Sequence, residues 1–183
     1  KNAVGTADPT VAAAMEAYIK QAQSEGDSVG GIVEIRISNV PVGLGEPVFD
    51  KLNADLAKAI VSIPAVKGIE FGAGFKVALK RGSEQNDPFT LRAGIIHTEK
   101  NDAGGILGGI STGEEIIMRV AVKPTSSISK KQHTVTTSGT PTEIQITGRH
   151  DPCIIPRFIP VAESMAALVI VDHILRYRGQ CGK

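Results

Sequence analysis

The stretch TGRHDPC, Thr147 to Cys153, places a guanidinium, an imidazole, a carboxylate and a thiol within five consecutive positions, where an alternating apolar pattern gives way to a proline. Arg149 is a planar multidentate donor of the kind that grips phosphate or carboxylate oxygens. Asp151 offers a carboxylate for proton transfer. An aspartate beside an arginine is held ionised and is a weak base unless desolvation or neighbouring anions oppose the arginine. Pro152 favours an extended backbone at the residue before it, which holds that carboxylate at the corner. Aspartate followed by proline is also a common helix start, so Asp151 is read either as an acid-base group or as a helix N-cap, and the two roles are compatible.

A second concentration of chemistry lies at KPTSSI, Lys123 to Ile128. Lys123 brings one positive charge, and Thr125, Ser126 and Ser127 bring three hydroxyls, a set suited to the acceptor oxygens of a phosphate. Upstream, Gly82 to Gly113 shows little periodicity, and a loop of that length in a compact domain points to function. Its glycines 104, 105, 108, 109 and 113 allow close backbone approach to a ligand. They fit neither the GxGxxG dinucleotide fingerprint nor the GxxxxGK[ST] phosphate loop. Glu84, Asn86 and Asp87 either line a pocket or shape a turn. His150 is read as a surface or supporting residue beside the corner, and His97, His133 and His173 as ordinary polar or helix-face residues. Cys153 is expected to be a small buried hydrophobe and Met15, Met118 and Met165 to be core residues.

The elements that must position these groups follow from capping and periodicity. Asp8 before Pro9 predicts a helix start, with Val11, Met15, Tyr18 and Ile19 at helical spacing until Gly26. GIVEIRIS, residues 31–38, alternates as a half-buried strand. A helix is expected from Pro47 to Ile60, and strands at Val66 to Phe71, at FKVALKRG (75–82), at EEIIMRVAV (114–122) and at PTEIQITG (141–148). A long apolar helix is expected from Pro156 to Arg176. The reading is an α+β fold with an antiparallel sheet packed against helices.

The chain has 183 residues, 42% hydrophobic and 21% charged, with a net charge of +1, as in a globular protein with a real core. Basic residues are dispersed without interleaved aromatics, which argues against a nucleic-acid surface. No uninterrupted apolar run reaches about 18 residues, so no bilayer-spanning segment is expected. Cys153 and Cys181 match neither a metal motif nor a disulfide framework, so no metal site is expected and a reducing cytoplasm is the simplest location. The chain opens on Lys1 without a methionine or a charged-then-apolar leader, which predicts no secretion signal and suits a piece of a longer protein.

Taken in order, VPVGLGEPVFDKL, SIPAVKGIEFGAGF, RGSEQNDPF, AGGILGGISTG, KPTSSI and GRHDPCIIPR resemble the C-terminal half of chorismate synthase, over about Ala12 to Arg176. The resemblance implies a β-α-β sandwich of which residues 1–183 form the C-terminal portion, and a homotetrameric flavoprotein lyase. It implies conversion of 5-enolpyruvylshikimate 3-phosphate to chorismate and phosphate by anti-1,4-elimination, in aromatic amino acid biosynthesis, with reduced FMN and no net redox change; NADP is also linked to the family. Flavin contacts would fall on Pro64, Ala65, Gly108, Lys123, Pro124, Thr125, Ser126, Ser127 and Arg149, and the catalytic aspartate on Asp151. The family's two catalytic histidines, and most arginines that hold the substrate, belong to an N-terminal half not found in this sequence, so the chain alone is expected to be inactive. Asp102 stands where the family has Asn or His, and the segment after RGSEQNDPF is unusually long. The alternative is a non-catalytic phosphate-binding or assembly module.

Overall fold

The computed structural model describes residues 2–182. In chain order the elements are α1 (Pro9–Ser24), β1 (Gly31–Ile37), α2 (Leu52–Val61), β2 (Val66–Phe71), a 3₁₀ turn (Gly74–Leu79), α3 (Gly82–Gln85), β3 (Phe89–Arg92), β4 (Ile95–Thr98), β5 (Ile106–Leu107), β6 (Ile110–Ser111), β7 (Ile116–Val122), β8 (Gln132–Val135), β9 (Pro141–Ile144) and α4 (Ile155–Cys181). The chain divides into two compact units. The smaller comprises the residues up to Gly31 with Val122–Pro160, and the larger Ile32–Ala121 with Val161 onward.

In the smaller unit α1 starts as its sequence dictates. Asp8 accepts the Thr10 N–H at 2.8 Å, and Pro9 fills the first helical position. The helix closes with Gly26 in the left-handed region at φ 69°, while the Gly26 and Asp27 N–H groups return to the carbonyls of Gln23 and Ala22. β8 and β9 form an antiparallel hairpin.

In the larger unit the sheet has the order β1-β7-β2. Arg119–Glu34 and Arg36–Glu115 join β7 to β1, and Gly72–Ile117 with Gly68–Ala121 join it to β2; in both cases one strand ascends as the other descends. Alternation along β7 buries Ile116, Met118 and Val120, while Arg119 stands on the opposite, polar face. Leu52, Leu56 and Ile60 of α2 recur at helical spacing, and all three are fully buried. α2 packs on β2 and β6.

Several expectations are corrected. The helix expected from Pro47 begins only at Leu52, because Asp50 accepts the Glu46 N–H in a turn and Lys51 is extended at ψ 140°. The strand expected over Phe75–Gly82 is the 3₁₀ turn: the Glu70 carboxylate accepts the Phe75 N–H at 3.0 Å, and Phe75 and Leu79 gain no buried face, being 83% and 88% exposed. The segment from Gly82 to Gly113 carries α3 and two antiparallel hairpins, β3–β4 and β5–β6. The strand expected to run to Gly148 ends at Ile144, with β8 as its partner. Met15 is exposed, Cys153 is half-buried, and His173 is buried.

α4 runs from Ile155 to Cys181 and carries Pro160 within it. Although the sequence has no uninterrupted apolar run of membrane length, a stretch of this helix with mean hydropathy 1.7 is long and apolar enough to cross a membrane by length and composition, and 22% of it is buried inside the chain.

Candidate functional site

The smaller unit assembles KPTSSI and GRHDPC on one base, the segment Glu25–Gly30. Ser28 donates to the Thr125 carbonyl at 2.6 Å, and the Ser129 and Lys130 N–H groups bond the Gly26 carbonyl. Lys130 pairs with Asp27 at 2.7 Å and reaches Glu25 at 3.8 Å. That lysine, with help from the Ser28 N–H, holds the Asp27 carboxyl below its ordinary range. The Val29 N–H bonds the Pro152 carbonyl at 2.8 Å, which ties the corner to the same base. Gly30 is the tightest point, where a Cβ would stand 2.2 Å from the Val122 carbonyl oxygen, immediately before Lys123. Gly30→Ala should therefore push the turn outward and lower stability by about 1–3 kcal/mol, read by denaturant unfolding; an unchanged midpoint would show that the base does not fix the turn.

The two motifs also touch directly. Ser127 Oγ lies 3.0 Å from His150 Nδ1, and His150 Nε2 lies 3.1 Å from the Ile146 carbonyl oxygen. Thr125 Oγ1 is buried with no hydrogen-bond partner, which is costly unless something fills the position. Lys123, Pro124, Ser126 and Arg149 are exposed. Asp151 does not cap α4, which starts four residues later; its Oδ2 instead meets Arg157 of the first turn at 2.9 Å. One cation, one orphaned hydroxyl and one free hydroxyl thus sit on a turn locked to a corner bearing Arg149 and Asp151. That arrangement can bind a phosphate ester next to a carboxylate that has one oxygen uncommitted.

The remaining candidates lie in the larger unit and are not brought together there. Pro64 and Ala65 are the middle of the turn closed by the Val66 N–H on the Ile63 carbonyl, with Ala65 at φ 74°. Proline suits the first central position of such a turn, but the second is normally glycine, so Ala65 stores strain. Gly108 and Gly109 form the loop of the β5–β6 hairpin at φ 61° and 94°, with open space beside Gly108. The Gly109 carbonyl bonds the Leu52 N–H at the start of α2, whereas Ala65 follows the helix end, so the two candidates stand at opposite ends of α2.

Sequence reasoning missed a polar cleft of about 280 Å³ on the outer face of the sheet, lined in part by Glu34, Arg36, Lys76, Lys80, Asp102 and Arg119. Its two arginines and Lys80 are paired with carboxylates. Arg119 bonds Glu70 at 2.6 Å and the Gly72 carbonyl, and Asp102 joins Lys80 and Lys100 at 2.6 and 2.5 Å. Lys100 and then Lys80 hold the Asp102 carboxyl below the usual range. Asp87 and Glu84 serve turns: Asp87 accepts the Asp102 and Ala103 N–H groups, and Glu84 accepts the Arg81 N–H.

Comparison with known proteins matches the chorismate synthase family model over residues 1–175. The chorismate synthase of Roseiflexus castenholzii is 58% identical over 179 residues, covering 97% of this chain and 50% of that protein. That of Methanosarcina acetivorans is 60% identical over 177 residues, covering 96% and 48%. A crystal structure of chorismate synthase aligns with a TM-score of 0.75 at 30% identity, covering 93% of this chain and 44% of the other. The chain thus spans about half the length of the curated relatives it matches.

Proposed function

From the chain's membership of the chorismate synthase family, which the matches establish, we propose that it supplies the flavin-phosphate and acid-base portion of a lyase active site. The substrate of the complete protein is 5-enolpyruvylshikimate 3-phosphate, which loses its phosphate and a proton to give chorismate. Reduced FMN, when bound, would supply electron density to the substrate as its phosphate departs, with no net redox change. Lys123, Thr125, Ser126 and Ser127 hold the flavin's phosphate ester, with Pro124 fixing their turn, and Arg149 adds charge at its edge. Asp151 moves a proton through Oδ1, because Arg157 occupies Oδ2. Gly108, with open space beside it, and the Pro64–Ala65 turn are the larger unit's backbone positions that the family resemblance assigns to flavin. The observation that carries this reading is the buried, unpartnered Thr125 hydroxyl on a turn joined to the Asp151 corner.

The complete protein is read as a cytoplasmic homotetramer that engages neither nucleic acid nor membrane. The balanced net charge of +1 supports the former. For α4, cover by protein rather than lipid is favoured by its polar anchoring: buried His173 meets Asp55 of α2 at 3.0 Å, and Arg176 meets Asp50 and Asp172 at 2.9 and 2.8 Å.

Catalytic groups act as a unit, so this chain alone should show no chorismate formation with reduced FMN and substrate under anaerobic conditions. Turnover above background by the purified chain would overturn the assignment of part of the machinery to residues outside it.

A further inference from the structure

We propose that His150 is a positioning residue for the anion site at Lys123–Ser127, its protonation deciding whether the Ser127 hydroxyl is free to donate to a bound phosphate. The inference rests on the phosphate reading above and adds a residue to it.

The geometry fixes the proton inventory. His150 Nε2 faces the Ile146 carbonyl oxygen at 3.1 Å, and a carbonyl only accepts, so Nε2 carries a proton in either charge state. In the neutral ring Nδ1 is then a bare acceptor. Ser127 Oγ, 3.0 Å away, must spend its single hydroxyl proton on it and turns lone pairs toward the site. When the ring is protonated, Nδ1–H donates to Ser127 Oγ instead. The hydroxyl proton is released toward a ligand, and a positive charge arrives beside the turn. Both changes favour an anion.

The surrounding charges do not cancel this. Arg149 and Asp151 flank His150 in the chain, Asp151 is engaged by Arg157 at the start of α4, and Lys123 heads the turn. On the base segment, Asp27 is committed to Lys130.

Binding and protonation are reciprocal, so phosphate must raise the His150 titration midpoint by as much as protonation tightens phosphate. With a raised midpoint in the bound state, the share of the affinity that His150 contributes is fully present at low pH and is lost as pH rises through that bound-state midpoint. One donor hydrogen bond to a charged ligand makes the expected effect about tenfold in affinity, or roughly one pH unit in midpoint.

The test is a ring-¹⁵N NMR titration of His150 in this chain, with and without inorganic phosphate, in the parent and in Ser127→Ala. The expected result is an Nε2–H tautomer in the neutral ring, a midpoint raised by phosphate, and loss of most of that rise in Ser127→Ala. A neutral ring protonated on Nδ1 overturns the proposal without needing the variant. So does phosphate that perturbs the Lys123–Ser127 amides but leaves the midpoint unmoved, although the phosphate reading then survives. Failure of phosphate to perturb those amides at any concentration overturns both.

Discussion

Replacing Asp151 with Asn in a complete chorismate synthase carrying these residues should lower turnover by about 10²- to 10⁴-fold while FMN binding persists, the loss typical of removing a general acid-base group. The substitution keeps the shape and still accepts a hydrogen bond from Arg157, so the 2.9 Å contact that anchors the corner survives. It also leaves the helix start undisturbed, because α4 begins at Ile155 and does not use Asp151 as its cap. What disappears is the capacity of the uncommitted Oδ1 to take a proton. Anaerobic steady-state rates with excess reduced FMN provide the comparison. A rate within twofold of the parent would show that the carboxylate serves Arg157 alone.

Lys123→Ala should weaken FMN binding by about ten- to a hundredfold in the same complete protein, since a hydrogen bond to a charged partner contributes roughly 1.5–3 kcal/mol. Lys123 is exposed, so screening should shrink the loss in high salt. Riboflavin, which lacks the phosphate, should bind parent and variant alike. Flavin-fluorescence titrations with both ligands measure this, and equal losses for the two would assign Lys123 to the ring or to the fold.

What was legible in the sequence was local. The Asp8–Pro9 cap, the alternation of β1 and β7 and the apolar spacing of α2 each act within a few residues, and those elements formed where expected apart from the starts of α2 and β7. The 3₁₀ turn was hidden because Phe75, Val77 and Leu79 alternate like a strand, while the deciding bond comes from Glu70. The β3–β4 hairpin turns through Ala93 and Gly94 at φ 51° and 79°, and an alanine there does not announce a turn as asparagine would. The motifs KPTSSI and GRHDPC were visible as chemistry, but their connection was not. Ser127 and His150 are 23 residues apart, and Ser28, which holds the Thr125 carbonyl, is 97 residues away. Only folding shows that Glu25–Gly30 is their common base, with the bare Cα of Gly30 against Val122 as the sequence trace of it.

The central claim, that the turn at Lys123–Ser127 receives the flavin's phosphate, is tested most directly by a crystal structure of the complete protein with FMN. The prediction is a phosphate within about 3.2 Å of Thr125 Oγ1 and in contact with Lys123, with Asp151 Oδ1 turned toward the ring. A phosphate seated elsewhere, for example between Arg36 and Arg119 in the cleft of the sheet, with Thr125 Oγ1 still unpartnered, would contradict it.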